Sequence, residues 1–427
     1  MKALILTNEY PPYTYGGAGV HVEYLSRELS KLCSVEVRCF GDQQQHLDTL
    51  SVKGFPAHDN QYNSPKQLQR VFDALQRCLN FNGTDIDADL VHVHTWYTHF
   101  GGILGKLCYS VPLVVTVHSL EPFRPWKREQ LAGGYDFSCW VERTAIEMAD
   151  AVIAVSTETK KDIIRLFRVN PDKVHVIYNG IDPSEYRVTE NAAKIRELGI
   201  DPAKPFVFFC GRITKQKGIL HFLNAIRYMD RGYQVVMCAM APDTPEIAAE
   251  MKRRIAEIQA QREGVVWLEG IRDVETKVAL YSHADVFCCP SIYEPFGIIN
   301  LEAMACETPI VASAVGGITE VVVHNETGFL VPFVTSGSDV LEAVDPEKFE
   351  QEIAAKINLL MQDKELRLRM GRAGRKRAEE IFSWSSVARQ TLDLYKRIKT
   401  KDFPVVNEAS TDPAPFPSSV YLPAVKP

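Results

Sequence analysis

One alternation, run twice along the chain, limits its fold more than any other feature: short Val- and Ile-rich stretches of strand length each precede a stretch of helix length. In the first run, residues 3–7 lead to an amphipathic segment at 20–32, and further strands are predicted at 35–40, 90–94, 113–118, 151–155 and 174–177. After residue 180 the pattern restarts, with strands at 206–210, 233–239, 265–268, 286–289 and 310–313 and a helix at 218–228. Strands that are apolar on both faces and separated by helices need a parallel sheet covered on each side. The predicted fold class is therefore α/β, with two Rossmann-like domains and a cleft between them. At 427 residues the chain exceeds one ordinary core, which also favours two domains. The expected division is 1–180 and 181–380, joined through the turn Asn179-Gly180-Ile181-Asp182-Pro183. Residues 382–398 read as a last helix, and 403–427 as a proline-rich, aperiodic tail in which Phe416 and Tyr421 are possible anchors.

Composition removes several functions. The net charge of −6 comes from well-mixed acids and bases, so no basic stripe offers itself to nucleic acid and no polybasic run to anionic lipid. No apolar run approaches eighteen residues, the length of a membrane span. The opening residues Met1 to Thr7 read as a buried strand and not as a signal peptide. Ten cysteines lie mostly within apolar runs, as Cys210, Cys238, Cys288 and Cys289 do, which fits small buried thiols in a reduced, cytoplasmic chain.

Three clusters carry chemistry. Gly16-Gly17-Ala18-Gly19 lies between the first strand and the first helix, where bare N–H groups meet a phosphate. It lacks the third glycine of G-x-G-x-x-G, and its loop carries Pro11 and Pro12, so a dehydrogenase fingerprint fits poorly. A loop that merely needs positive φ would use the same glycines. Arg212 and Lys217 directly follow the 206–210 strand, at the sheet edge where open α/β proteins bind ligands. A fork-like guanidinium and a mobile ammonium suit a diphosphate whose charge grows as it departs. Alone, they would read as two solvated surface cations.

Glu294 and Glu302 form the third cluster. On one helix their eight-residue spacing would put them on neighbouring faces, about 80° apart. Pro295 and Gly297 instead delay the helix to about Ile298, so Glu294 precedes it and Glu302 projects from inside it. Glu294 would face a hexose, the N–H groups of Phe296, Gly297 and Ile298 its hydroxyls or phosphate, and Glu302 a ribose. A helix-start acid explains Glu294 equally well; it does not explain an acid among Ile298, Ile299, Leu301, Ala303 and Met304. His92 and His94 share one strand face without further ligands in view, so they read as structural histidines, and no metal is expected. His94 and His118 close their strands at the cleft rim. The loop holding Arg124, Trp126, Lys127 and Arg128 combines rings that stack on sugars with cations that hold phosphate. With His94, Trp96 and Tyr135 it forms the candidate acceptor side, and a solvated loop is the alternative.

Taken together, Gly16-Gly17, Gly211-Arg212…Lys217-Gly218 and Glu294…Glu302 within Tyr-Glu-Pro-Phe-Gly resemble the retaining nucleotide-sugar glycosyltransferases of the GT-B fold, in the glycosyltransferase 4 class, over residues 1–397. Tyr15 to Val22 and Val117 to Tyr135 look like the actinobacterial-type bacterial glycogen synthases, some of which act as α-maltose-1-phosphate synthases. The resemblance implies glucosyl transfer from ADP-glucose or another nucleoside diphosphate glucose to an α-1,4-glucan or glucose-1-phosphate, with retention. It assigns catalytic work to His118, Arg212, Lys217 and Glu294, and donor binding to Gly16, Gly17, Phe296, Gly297, Ile298 and Glu302. It implies no metal or cofactor, and a last helix (381–402) that crosses back to the first domain. The two glutamates are then not a glycosidase acid/base pair. A sucrose- or trehalose-type synthase, a nucleotide-sugar epimerase and a non-enzymatic nucleotide-sugar scaffold remain as alternatives, and a homo-oligomer stays open.

Overall fold

The computed structural model describes residues 1–57, 63–270, 273–336 and 342–399. Its first sheet contains β1 (Lys2–Thr7), β2 (Ser34–Phe40), β3 (Gln44–His46), β4 (Leu50–Phe55), β5 (Leu90–His94), β6 (Leu113–Val117), β7 (Ala151–Ala154) and β8 (Val174–Val176), in the order β3-β4-β2-β1-β5-β6-β7-β8. The second contains β9 (Phe206–Arg212), β10 (Gln234–Met240), β11 (Val265–Leu268), β12 (Val286–Cys289), β13 (Ile310–Ser313) and β14 (Gly328–Val331), in the order β11-β10-β9-β12-β13-β14. Only the β3–β4 ladder is antiparallel among these pairings. Each sheet is thus the doubly wound, parallel kind that its apolar strands demand.

Alternate residues of a strand feed opposite faces. On β1, Leu4 and Leu6 enter one core while Ala3 and Ile5 enter another. On β9, Phe206 and Phe208 separate in the same way from Val207 and Phe209. Every strand foreseen from the sequence is present to within a residue or two. The strands β3, β4 and β14 were not foreseen: β3 is fully exposed, and β14 is four residues long and opens on glycine.

Strand order reverses between β1 and β5 in one sheet and between β9 and β12 in the other. Ligands of open α/β sheets sit outside the carboxyl ends of strands at such points. The Gly16-Gly17 loop follows β1, His94 ends β5, Arg212 ends β9, and Glu294 comes shortly after β12. Topology alone therefore carries these groups to the two crevices.

The last helix, Trp384–Lys399, leaves the second sheet and packs on the first, burying Trp384, Val387, Leu394 and Tyr395 against Ala3, Ile5 and Val22. Tyr395 Oη lies 2.6 Å from His92 Nδ1, and Lys399 Nζ donates to Asp89 at 2.7 Å. The expected return crossing is present. The tail 403–427, with Phe416 and Tyr421, lies outside the described residues. Among those that are described, no helix is long and apolar enough to cross a membrane.

Candidate active site between the two sheets

The two crevices face each other. A Cβ added at Gly17 would lie 3.7 Å from Ile298 Cδ1, an ordinary contact distance, so the glycine loop of one lobe faces the helix start of the other closely. Gly16 caps the helix Gly17–Leu29, and its N–H donates to Glu9 Oε2 at 2.8 Å, joined there by Tyr15 N–H at 3.1 Å. Burial raises the Glu9 pKa, against the pull of these amides and of the Arg212 charge. Arg212 closes β9 and lies 3.4 Å from Asp243.

Lys217 sits in a one-turn helix, Lys215–Lys217, that ends on Gly218 at φ +64°. Any side chain at Gly218 would strike the Pro290 carbonyl, so this turn is pressed onto the end of β12. The contact delivers Lys217 Nζ to Glu294 Oε2 at 2.6 Å, and Ser291 Oγ donates to the same oxygen at 3.1 Å. Glu294 is only 6% exposed. A buried carboxylate paired with a partly buried ammonium adds little net stability; the value of the pair lies in a fixed arrangement.

Gly297, at φ +94°, turns the chain into the helix Ile298–Ala305, as its position after Pro295 suggested. Glu302 is 3% exposed and held on three sides: Tyr186 Oη and Tyr281 Oη each donate at 2.9 Å, and Lys277 Nζ at 3.1 Å. Burial opposes the Lys277 charge, but the Glu302 carboxylate outweighs it and holds the ammonium above its ordinary value. Phe296 packs its ring against Tyr178 and Phe382, leaving only its backbone for the cleft. Arg212, Lys217, Glu294 and Glu302 are thus gathered along one sheet edge, opposite Gly16 and Gly17.

His118 follows β6 beside His94, with His94 Nδ1 2.9 Å from His118 Nε2. His94 has no exposed surface, which corrects the expectation that it meets an acceptor directly. The spacing of His92 and His94 showed no further ligand, yet the fold supplies one. His21, on the helix Gly17–Leu29, brings a third imidazole within reach of His94 and His118.

The acceptor loop also differs from expectation. Lys127 is buried and donates to Glu121 Oε1 at 2.8 Å, with Arg124 Nη1 3.4 Å from the same oxygen. Tyr135 is buried too and donates to the Glu121 carbonyl at 2.8 Å, while Trp96 is 3% exposed. A charge so desolvated must be paired, so Glu121 draws these groups inward. Lys127, Tyr135 and Trp96 therefore shape the wall instead of facing solvent. Arg128 stays exposed, paired with Asp136, and Trp126 is half-buried with no partner for its indole N–H among the described residues.

Sequence spacing did not reveal Glu9, His21, Tyr186, Lys277, Tyr281, Ser291 or Asn300. Both side-chain polar atoms of Asn300 are buried without a partner among the described residues, and a Cβ at Gly297 would come 2.6 Å from its Nδ2. The one available hint for Lys277 was a lysine four residues past Asp273, just before the apolar run Val278-Ala279-Leu280.

The lobes also touch directly. Leu120 N–H donates to Tyr293 Oη at 3.0 Å. Glu320 of the second lobe accepts from the N–H groups of Thr157 and Glu158 at 2.9 and 3.1 Å, capping a helix of the first.

Comparison with known proteins agrees with this geometry. The family described as Glycosyltransferase Family 4 matches residues 15–185, and Glycosyl transferases group 1 matches 190–377. The alpha-maltose-1-phosphate synthase of Mycolicibacterium smegmatis is 44% identical over 402 residues, covering 93% of this chain and all of the relative. Among solved structures, the sucrose-phosphate synthase of Thermosynechococcus elongatus superimposes with a TM-score of 0.76 at 23% identity, over 93% of this chain and 99% of the other. The catalytic domain of starch synthase IV from Arabidopsis thaliana, bound to ADP and acarbose, gives 0.71 at 20% identity, over 93% and 99%. At such identities these two structures speak for the fold.

Proposed function

This chain belongs to the GT-B glycosyltransferases and is a hexosyltransferase close to the α-maltose-1-phosphate synthases, and on that premise we propose that it transfers glucose from a nucleoside diphosphate glucose, ADP-glucose first, to glucose-1-phosphate or the end of an α-1,4-glucan, with retention. The observation that carries this reading is the set Arg212, Lys217, Glu294 and Glu302 on one sheet edge, facing a glycine loop across the cleft. Glu302 receives the ribose hydroxyls, and Glu294 the hydroxyls of the transferred glucose. Lys217 and Arg212 steady the diphosphate as the bond from the anomeric carbon to the phosphate oxygen breaks. The acceptor oxygen then bonds to that carbon on the same face, and its proton passes to the departing phosphate. His118 meets the glucose from the first lobe. Closure of the lobes excludes water and so limits donor hydrolysis. The family relationship at 44% identity supports glucose-1-phosphate as one acceptor, because a maltose-1-phosphate is that compound extended by one glucose. Nucleotide sugars and free cysteines both suit a cytoplasmic setting.

Incubating the protein with ADP-, UDP- or GDP-glucose against glycogen and against glucose-1-phosphate tests the proposal, with products identified by mass and anomeric NMR signals. An α-linked disaccharide phosphate or a lengthened glucan, made fastest from ADP-glucose, is expected. Nucleoside diphosphate released equally well without acceptor would point to an epimerase and defeat the reading; no turnover with any pair would point to a scaffold.

A further inference from the structure

We infer that His21, His94 and His118 form a binding site for a borderline divalent metal ion, Zn²⁺ foremost, at the floor of the cleft. The three come from separate parts of the first lobe: a helix, the end of β5 and the residue after β6. One ring nitrogen of each lies within 4.8 Å of those of the other two. Their ring centroids are 4.7 to 5.4 Å apart.

Hydrogen bonding leaves one nitrogen of His21 and one of His94 without a partner, while His94 Nδ1 and His118 Nε2, 2.9 Å apart, share a hydrogen bond that an ion would have to replace at His118. His21 Nδ1 is 2.6 Å from Asn179 Oδ1. An amide oxygen only accepts, so Nδ1 carries the proton and Nε2 keeps its lone pair. Ligating histidines are commonly held in this way, by an outer oxygen that fixes tautomer and ring orientation. His21 Nε2 and His94 Nε2 are both buried with no partner among the described residues, in side chains 2% and 0% exposed. A buried polar atom left unpaired costs about 1–3 kcal/mol, a cost that coordination would remove. His92, the next imidazole, is already spoken for, with its nitrogens 2.6 Å from Tyr395 Oη and 2.7 Å from Thr116 Oγ1.

The donor set selects the ion. Three imidazoles with no carboxylate suit Zn²⁺, Ni²⁺ or Cu²⁺, whereas Mg²⁺ and Ca²⁺ need oxygen. Zinc–nitrogen bonds of about 2.0–2.1 Å imply ligand separations of about 3.4 Å, so the widest pair must close by up to about 1.4 Å. His118 is the most exposed of the three, so it is the ligand with most room to shift. An ion held there would occupy His118 and inhibit transfer. That consequence, unlike the site itself, rests on His118 meeting the donor glucose as proposed above.

Metal-stripped wild-type protein titrated with Co²⁺ should bind one ion per chain, with the visible absorption of a four-coordinate nitrogen site, and Zn²⁺ should displace it. His21→Gln and His94→Gln, each first shown by circular dichroism to melt cooperatively, should lose at least a hundredfold in affinity. Should His94→Gln fail to fold, His118→Gln takes its place. No uptake by the wild type, or equal uptake by His21→Gln, would overturn the site. In the activity arm, one equivalent of Zn²⁺ should lower transfer by the wild type and a chelator should restore it. Binding without inhibition would leave the site standing and remove His118 from the reacting sugar. Undiminished inhibition of His21→Gln would overturn the link between this site and activity.

Discussion

At the scale of single residues, the Lys217–Glu294 pair is where chemistry and packing meet. Lys217→Ala should reduce kcat by about 10²–10³-fold if the ammonium steadies the leaving group. It also strands a buried carboxylate, so the melting temperature should drop by several degrees, and full turnover in a variant with that drop would remove Lys217 from the mechanism. Protonation acts on the histidines in a direction that can be worked out. Burial holds His21 at about 4 and His92 and His99 at about 3, against an ordinary 6.5, so the unfolded chain binds these protons first. Their contribution is complete above 6.5 and is lost as pH falls toward the folded values, at about 3 kcal/mol for His21 alone. Melting temperature should therefore fall steeply from pH 7 to pH 5; a flat profile over that range would show that these imidazoles are not buried and neutral. Arg212, Lys217, Glu294 and Glu302 were legible in the sequence because each is a charge at a strand end or in an apolar helix. Lys277, Tyr186 and Tyr281 were not, because their relation to Glu302 exists only once separate segments pack together.

At the scale of elements, period and punctuation carried most of the information. The start of the helix Ile298–Ala305 followed from Pro295 and Gly297, and the parallel strands from their apolar runs. β4 was missed because Ser51 and Lys53 interrupt its apolar residues, and the burial of Lys127 and Tyr135 was missed because a buried Glu121 cannot be distinguished from an exposed one in a string of letters. The glycine loop offers a clean separation of site from scaffold. A side chain at Gly17 meets nothing but Ile298 within 4 Å. Gly17→Val should then change stability by no more than about 0.5 kcal/mol, as surface substitutions do, while raising the donor KM about tenfold or more. An unchanged KM would mean that no diphosphate passes between the loop and the helix.

At the scale of the whole molecule, two lobes are tied by the return helix and by small cross-contacts. Glu320 is the most informative of these, since one carboxylate binds two amides of the opposite lobe and the Tyr178 hydroxyl at 3.0 Å. Glu320→Ala should cost about 0.5–2 kcal/mol, the range for a lost helix cap, and speed hydrogen exchange at Thr157 and Glu158. Exchange unchanged at both amides would mean that the carboxylate does not hold the lobes in register. Two-lobe architecture was readable from the restart of the strand pattern, but the mutual placement of the lobes was not, because it depends on such isolated contacts.

The docking of Trp384–Lys399 on the first sheet has a further bearing, on biosynthesis. The face that will receive Trp384 and Tyr395 leaves the ribosome with β1 to β8, whereas its cover is translated roughly 200 residues later. At about 5–20 residues per second that delay is about 10–40 s, long enough for the intervening lobe to mature while a greasy surface waits bare. Nascent chains of this protein should therefore engage a holdase chaperone until Trp384–Lys399 has emerged.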